Sequence, residues 1–122
     1  MRDTLTGQVI GAAIEVHRTL GPGLLESAYE RCLHWELKRL GLAVERQIQL
    51  PVSYKGLEFE EGYRLDLVVD ERLVVELKTV EHLLPIHEAQ LLTYLKLSNK
   101  QTGLLINFNV PFLRDGIKRM VL

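Results

Sequence analysis

The stretch GYRLDLVVDERLVVELK, residues 62–78, contains two runs of alternating apolar residues on either side of a charged turn. Alternation with a period of two predicts two β-strands joined as a hairpin. The opposite face carries Val68 and Val74, so it is not a plainly solvated surface. Asp66, Glu76 and Lys78 lie among these valines and predict either a partly wet edge or a site. The apolar residues of the first face are Leu65, Leu67, Val69, Leu73, Val75 and Leu77.

The register of this hairpin decides how close the charges come. A symmetric hairpin that turns at Glu71 places Asp66 directly opposite Glu76, with Cβ atoms ~5 Å apart on one face. Lys78 lies two residues beyond Glu76 and shares that face. Two carboxylates this close repel each other, and at least one is protonated unless a cation lies between them. A bulge in the turn would shift the facing pairs.

Two interpretations of this charged face stay open at this point. Mg²⁺ prefers carboxylate and water oxygens, and a bound metal with a nearby lysine suits phosphodiester hydrolysis. The alternative is a cross-strand ionic patch on a half-exposed hairpin, because surface ion pairs are commonplace.

Two helices are predicted before the hairpin. Apolar residues recur at helical spacing over residues 5–20, and the sequence GPG at 21–23 ends that helix. A second helix is predicted from about residue 24 to 40, where Gly41 closes it. Its predicted core-facing residues are Leu25, Ala28, Tyr29, Cys32 and Leu33.

The remaining elements predict a mixed sheet. Alternating residues from Val44 to Tyr54 indicate one strand with a buried face. After Pro85, residues 86–97 are apolar nearly all round and predict a buried helix. Residues 103–110 predict a fourth strand and 116–121 a short fifth. The third and fourth strands, joined by a helix, form a βαβ unit and should be parallel. The order of two helices, three strands, a helix and one or two strands predicts a three-layer mixed α/β fold.

Composition narrows the class of protein. The chain has 122 residues, a net charge of −1 and one cysteine, Cys32. It is long enough for one core, so we expect residues 1–122 to form a single domain. With this net charge the chain lacks the excess of basic residues that is typical of a protein that coats nucleic acid. No apolar run is long enough to cross a membrane, the N-terminus lacks a signal-peptide pattern, and a lone cysteine fits a reducing compartment, which together predict a cytoplasmic protein.

Four residues outside the hairpin are further candidates. Gln90 and Tyr94 lie on one face of the third helix, which follows the strand of Lys78 and can present that face near it. Glu26 lies in the first turn of the second helix, where an acidic residue also favours the helix dipole. His17 lies within the apolar arc of the first helix, where a hydrogen-bonded core histidine is the simpler interpretation.

Several motifs resemble one known family. D-x9-E-L-K, from Asp66 to Lys78, resembles the PD-(D/E)XK nuclease superfamily, and QLLTYL at 90–95 resembles the Q-x-x-x-Y motif of its recombination-exonuclease and lambda-exonuclease branch. The segment VHRTLGPGLLESAYE at 16–30 is similar to the small GxxExxY proteins of that superfamily. YRLD, VVELK, HEAQLLTYL, LLINF and DGIKR match the same pattern in order, so the resemblance covers nearly the whole chain. Two departures are Asn109, where the family tends to have glycine, and Leu65 in place of the proline before Asp66.

The resemblance implies a restriction-endonuclease-like core, with a mixed sheet of four to five strands flanked by helices in the order ααβββαβ. It implies a Mg²⁺- or Mn²⁺-dependent nuclease that acts on DNA, with Lys78 as the catalytic lysine. The metal ligands implied are Asp66, Glu76, the Leu77 backbone carbonyl and, at a second metal site, Glu26. The resemblance further implies that Gln90 and Tyr94 position the lysine or the phosphate, and that His17 and Arg64 lie in motifs that bind substrate.

A non-catalytic alternative stays open beside the nuclease. The same fold could serve as a nucleic-acid or protein binding module, such as an accessory subunit. The near-neutral charge and small size leave little surface for gripping a duplex, where phosphate contacts supply most of the affinity. We therefore expect a homodimer or an accessory protein to supply the remaining phosphate contacts.

Overall fold

A five-stranded mixed sheet with helices on both faces forms the centre of the computed structural model, which describes residues 3–122. The helices are α1 (Thr4–Leu20), α2 (Glu26–Arg39) and α3 (Pro85–Ser98). The strands are β1 (Val44–Gln49), β2 (Val52–Tyr54), β3 (Leu57–Phe59), β4 (Arg64–Val69), β5 (Leu73–Lys78), β6 (Thr102–Asn107) and β7 (Ile117–Val121). The predicted fold class is confirmed, and the sheet has the larger of the two strand numbers expected.

The sheet order is β1-β4-β5-β6-β7, with β2 and β3 paired separately as a small hairpin. Strands β5 and β6 run parallel, with α3 between them in the chain, which confirms the predicted βαβ unit. Every other pair in the sheet is antiparallel. The central strand β5 is therefore bordered by its hairpin partner on one side and by the crossover strand on the other.

Both faces of the sheet are buried, as Val68 and Val74 indicated. One face packs with α1 and α2 in a cluster that includes Leu67, Val75 and Leu77. The other face packs under α3 in a cluster that includes Val68 and Val74. This arrangement gives the three predicted layers, because each face carries its own apolar set.

The single strand predicted from Val44 to Tyr54 is wrong. Strand β1 ends at Gln49, and β2 begins at Val52 in the separate hairpin. Pro51 lies between them, and a proline cannot donate a backbone hydrogen bond to a continuing ladder. Tyr54 is 60% exposed, so its place in the alternating pattern does not reflect burial in this sheet.

The third helix is not buried on all sides. In α3, only Leu91 and Leu95 are buried, and both pack in the cluster under the sheet. Ile86 at its first turn is 67% exposed. The prediction of a fully buried helix fails because an apolar residue in the sequence does not reveal which apolar faces have a partner.

Two apolar residues lie elsewhere than predicted. Leu25 is 78% exposed, because it is the extended residue before the first turn of α2 and does not belong to its inner face. Leu65 packs under α3 with Leu50 and not with Leu67 in the other cluster. The change of side at Leu65 coincides with Asp66, where the regular strand pairing is interrupted.

Among the described helices, none combines the length and apolar character that crossing a membrane requires.

Candidate active site

The predicted register of the central hairpin is confirmed. Leu67 faces Val75, Val68 faces Val74 and Val69 faces Leu73, so the loop is centred on Glu71. Asp70 and Glu71 both have positive φ, 51° and 59°, and accept this conformation to make the tight reversal. The ladder of paired residues stops at Leu67 and Val75. The next facing positions are Asp66 and Glu76.

Side chains replace the backbone ladder at these two positions. The Asp66 backbone N–H donates to Oε1 of Glu76 at 3.0 Å. The Leu77 backbone N–H donates to Oδ2 of Asp66 at 2.8 Å. Each carboxyl group is therefore held by a backbone N–H of the opposing strand, and such a hydrogen bond is strongest when the acceptor is ionised. The sequence predicted that the two residues face each other. It did not predict that their side chains would replace the backbone hydrogen bonds between the strands at this point.

The two carboxyl groups share a site that disfavours two negative charges. Burial, and after it the charge of Asp66, raises the pKa of Glu76 to about 9. Burial also raises the pKa of Asp66. The hydrogen bond from the Leu77 N–H lowers this pKa, and the charge of Glu30 raises it further. Desolvation and a like charge both favour the protonated form of a carboxyl group. Without a cation, Glu76 therefore keeps its proton at neutral pH.

Lys78 is fixed by a short chain of hydrogen bonds from α3. Its Nζ donates to Oε1 of Gln90 at 3.0 Å, and Nε2 of Gln90 donates to the Tyr94 hydroxyl at 3.3 Å. The amide carbonyl orients the ammonium group without neutralising it, so its positive charge stays available to an anion. The structure brings these three sequence-predicted residues together as expected from their spacing.

Glu26 approaches the same group from α2. Burial raises the pKa of its carboxyl group, and Asp66 adds to this effect while Lys78 opposes it. These influences place Glu26 within electrostatic reach of both Asp66 and Lys78. Helix α2 therefore contributes a third acidic side chain at the edge of the group.

Tyr29 fastens the loop that precedes Glu26. Its hydroxyl donates to the Gly21 carbonyl at 2.6 Å and accepts from the Leu24 N–H at 3.0 Å. Its ring is fully buried and stacks on Phe108, with centroids 4.5 Å apart. The first turn of α2 is thus packed against Phe108, the residue that directly follows β6.

We expect Tyr29→Phe to lower the free energy of unfolding by about 0.5–1.5 kcal/mol, because it removes two partly buried hydrogen bonds to the Gly21 carbonyl and the Leu24 N–H. Urea denaturation of the variant measures this loss. Tyr54→Phe is the matched control, since that hydroxyl makes no hydrogen bond in the described chain. Equal stability of Tyr29→Phe and wild type would contradict the role given to the hydroxyl.

His17 and Arg64 lie apart from the hydrogen-bonded group. His17 is buried, and its Nε2 lies 2.7 Å from the Val110 carbonyl, which matches the interpretation as a core histidine. Arg64 begins β4 and is exposed, two residues before Asp66. In the described part of the chain, its side chain makes no hydrogen bond or ion pair. It is available to a ligand, whereas His17 is engaged with the protein.

Three residues near Asp66 were missed from the sequence. Glu30 is buried, and its carboxylate accepts from Gln47 Nε2 at 2.6 Å and from Arg46 Nη2 at 3.2 Å. Gln47 faces Asp66 across β1 and β4 and has a φ of 51°, so the pairing with β1 is also interrupted there. The spacing of Glu26 and Glu30, one helical turn apart, was the only signal available.

Asn107 organises the segment that follows Lys78. It is buried, donates to the Val80 carbonyl at 2.9 Å, and accepts from the Val80 N–H at 3.1 Å. Asn109, at the position where the family tends to have glycine, is not among the residues with positive φ. No left-handed conformation is needed there, so the departure leaves the backbone unstrained.

The donor set fits a hard divalent cation, although it is small. Among residues 3–122, no group of three or more His, Cys, Asp or Glu side chains is arranged to hold a metal ion. The fit rests on Asp66 and Glu76, two carboxylates that no lysine or arginine of the described chain pairs with directly. A cation between them would offset the burial that raises both pKa values and the charge of Asp66 that further raises the pKa of Glu76.

Comparison with known proteins supplies the family. The chain has no significant match among curated proteins or among solved structures. A family model described as the PD-(D/E)XK nuclease superfamily matches residues 3–120. That match includes all the residues of the candidate site and the whole sheet except the last residue of β7. Members of this superfamily are nucleases that generally use divalent metal ions. The chain belongs to the PD-(D/E)XK nuclease superfamily.

Proposed function

We propose that the chain is a Mg²⁺- or Mn²⁺-dependent nuclease that hydrolyses phosphodiester bonds in DNA. The carboxylate pair of Asp66 and Glu76, with the ammonium group of Lys78 held beside it, carries this proposal. A site with two anionic ligands and one fixed cation suits a phosphate ester, because the metal and the lysine both attract its oxygens.

We further propose that the chain is a GxxExxY protein within the superfamily. Three residues of that motif have distinct places in the fold. Gly23 has a φ of +100°, which favours glycine, Glu26 lies within electrostatic reach of Asp66, and Tyr29 fastens the loop that precedes Glu26. The motif would then act as a unit that sets the position of Glu26.

Each side chain has a separate task in this proposal. Asp66, Glu76 and the Leu77 carbonyl would hold the metal, and Glu26 would bind a second ion or orient water. When bound, the metal polarises the phosphoryl oxygen and lowers the pKa of its water. Lys78 stabilises negative charge on the phosphate, Gln90 orients Lys78, and the Tyr94 hydroxyl orients Gln90.

The wider setting is also a proposal. We infer that residues 1–122 act as a single domain in the reducing cytoplasm, in keeping with the lone Cys32. A net charge of −1 gives little attraction for a polyanion, so a second copy of the chain or an accessory protein would add phosphate contacts. Exposed Arg64 is the nearest free cation on the strand of Asp66.

The test compares cleavage of single-stranded DNA, double-stranded DNA and RNA with Mg²⁺, with Mn²⁺ and with EDTA. We expect cleavage of DNA that requires the metal and is lost in Asp66→Asn. Asp115→Asn is the matched control, because Asp115 is exposed in the turn before β7. Saturable DNA binding without cleavage would replace the nuclease with the alternative, a binding module on the same fold. Metal-dependent cleavage that persists in Asp66→Asn would remove this site from the reaction.

A further inference from the structure

A cleft of about 370 Å³ opens beside the candidate active site. Val52 of β2 and Tyr63, the residue before β4, form one wall, and α3 forms the other. Gln90 and Tyr94, which orient Lys78, also line this cleft. The cleft is therefore continuous with the place where the phosphate would bind. Its other principal lining residues are Val52, Tyr63, Ile86 and Thr93.

Helix α3 carries a second apolar stripe that faces this cleft. Leu91 and Leu95 fill the core under the sheet, whereas the exposed Ile86 and Ala89 line the open space, and Leu97 contacts both. The apolar residues all round α3 therefore serve two surfaces: one side packs in the core, and the other lines the open cleft. An apolar face that remains open beside a polar site is typical of a ligand-binding surface.

The chemistry of the lining selects a flat and uncharged ligand. Tyr63 is 46% exposed, and its ring centroid lies 6.3 Å from that of Tyr94, with planes inclined at 59°. Thr93 and Gln90 add hydrogen-bonding groups to this aromatic wall. None of the residues that line the cleft is charged. An aromatic face with a few polar groups suits a nucleobase, which stacks through its ring and donates and accepts at its edge.

The uncharged lining of the cleft favours the base over the phosphate as its occupant, because the two cations that would attract a phosphate, Lys78 and exposed Arg64, are not among the lining residues. The exposed glutamates Glu58, Glu60 and Glu61 lie in the β3 region just before Tyr63 and would repel a phosphate group. The positive charge of Lys78 lies next to Gln90, which lines the cleft from α3. A nucleotide bound here would place its phosphate towards Lys78 and its base against Tyr63.

We propose that this cleft, which we name the Tyr63 cleft, binds an unpaired nucleobase of the strand whose phosphate lies at Lys78. The inference rests on the proposed function and makes single-stranded nucleic acid the substrate class. Bases in a duplex are stacked on each other and cannot enter. A chain with a net charge of −1 gains little from phosphates, so stacking supplies a larger share of its affinity.

The test measures binding by fluorescence anisotropy in EDTA, where cleavage does not occur. The probes are a labelled oligothymidylate of about 12 nucleotides, its duplex with oligodeoxyadenylate, and an abasic strand of the same length. We expect Tyr63→Ala to weaken binding of the oligothymidylate about tenfold, with Tyr63→Phe close to wild type, because phenylalanine still stacks. Trp35→Ala is the control, since Trp35 is an exposed aromatic residue, 59% accessible, on α2.

The abasic strand isolates the base from the phosphates. Wild type should bind it about tenfold more weakly than the oligothymidylate, and Tyr63→Ala should bind both strands equally. The inference is overturned if wild type binds the oligothymidylate no better than the abasic strand or the duplex. It is also overturned if Tyr63→Ala abolishes self-association of the free protein and leaves oligothymidylate binding unchanged, which would assign the cleft to a second copy of the chain.

Failure of the catalytic proposal is distinguishable from failure of this one. Binding that depends on Tyr63, without cleavage that depends on Asp66, contradicts only the nuclease. Cleavage that depends on Asp66, with no difference between the base-bearing and abasic strands, contradicts only the nucleobase cleft.

Discussion

Glu76→Gln should make the metal-free protein more stable than wild type at about pH 8, and it should remove any stabilisation by Mn²⁺. Burial and the charge of Asp66 raise the pKa of Glu76 to about 9 in the folded protein, from an ordinary value of 4.5. The wild-type side chain must either keep a proton or lose stability as that proton leaves. Glutamine is neutral at every pH and still offers an oxygen to the Asp66 N–H.

The sign of the pH dependence follows from the direction of the shift. Between a pKa of 4.5 in the unfolded chain and about 9 in the folded one, the folded state binds the extra proton. The contribution of Glu76 to stability is therefore full below about pH 4.5 and declines as the pH rises towards 9. A single proton limits the slope to roughly 1.4 kcal/mol per pH unit. Asp66 adds a slope of the same sign, because burial raises its pKa too.

A divalent metal should reverse this trend. Metal ligands bind in their deprotonated form, so Mn²⁺ competes with the proton on Glu76 and stabilises the protein more as the pH rises. Chemical denaturation across about pH 5 to 9, with and without Mn²⁺, measures both effects. Glu71→Gln, at the exposed tip of the same hairpin, is the control for loss of a carboxylate. A wild-type stability that is flat with pH, or Mn²⁺ stabilisation that survives in Glu76→Gln, would contradict the shared-proton account.

The fold was largely predictable because its main signals are local and periodic. The turn at Glu71 follows from two alternating runs on either side of it, and the confirmed pairing of Val68 with Val74 follows from that turn. The parallel pairing of β5 and β6 follows from the helical pattern between them. Pro51 itself indicated that the predicted strand would break, because proline cannot donate a backbone hydrogen bond. The prediction missed this break because the alternation of apolar residues continues past Pro51 to Tyr54.

The site was predictable only where residues share an element or a register. Gln90 and Tyr94 share a helical face, and Asp66 and Glu76 share a hairpin rung. The involvement of Glu30 could not be predicted in this way, because it depends on how α2 packs against β1, where Arg46 and Gln47 reach its carboxylate. Nor does periodicity predict which of two apolar stripes on α3 meets the sheet, since both are compatible with burial.

The second large effect expected is on cleavage by Lys78→Met. Lys78 is the fixed positive charge nearest the carboxylate pair, and its hydrogen bond to Gln90 leaves that charge uncompensated. Loss of one preorganised group that stabilises transition-state charge typically lowers kcat by about 10²–10³. We expect a fall of this size in metal-dependent cleavage, because methionine keeps most of the apolar stem of the side chain and removes its charge together with its hydrogen bond to Gln90.

The same variant should leave metal binding nearly intact, which separates a catalytic from a structural role. Lys78 lowers the pKa values of Asp66 and Glu76, although burial outweighs it in both, so its removal should weaken Mn²⁺ binding only modestly at neutral pH. Lys96→Met, exposed near the end of α3, is the matched control. Calorimetric titration of Mn²⁺ and single-turnover cleavage on the two variants measure the two quantities. Unchanged cleavage in Lys78→Met would remove the lysine from the mechanism. Loss of Mn²⁺ binding together with loss of stability would assign it to the ionic hairpin, since a purely structural charge acts on the carboxylate pair and not on the phosphate.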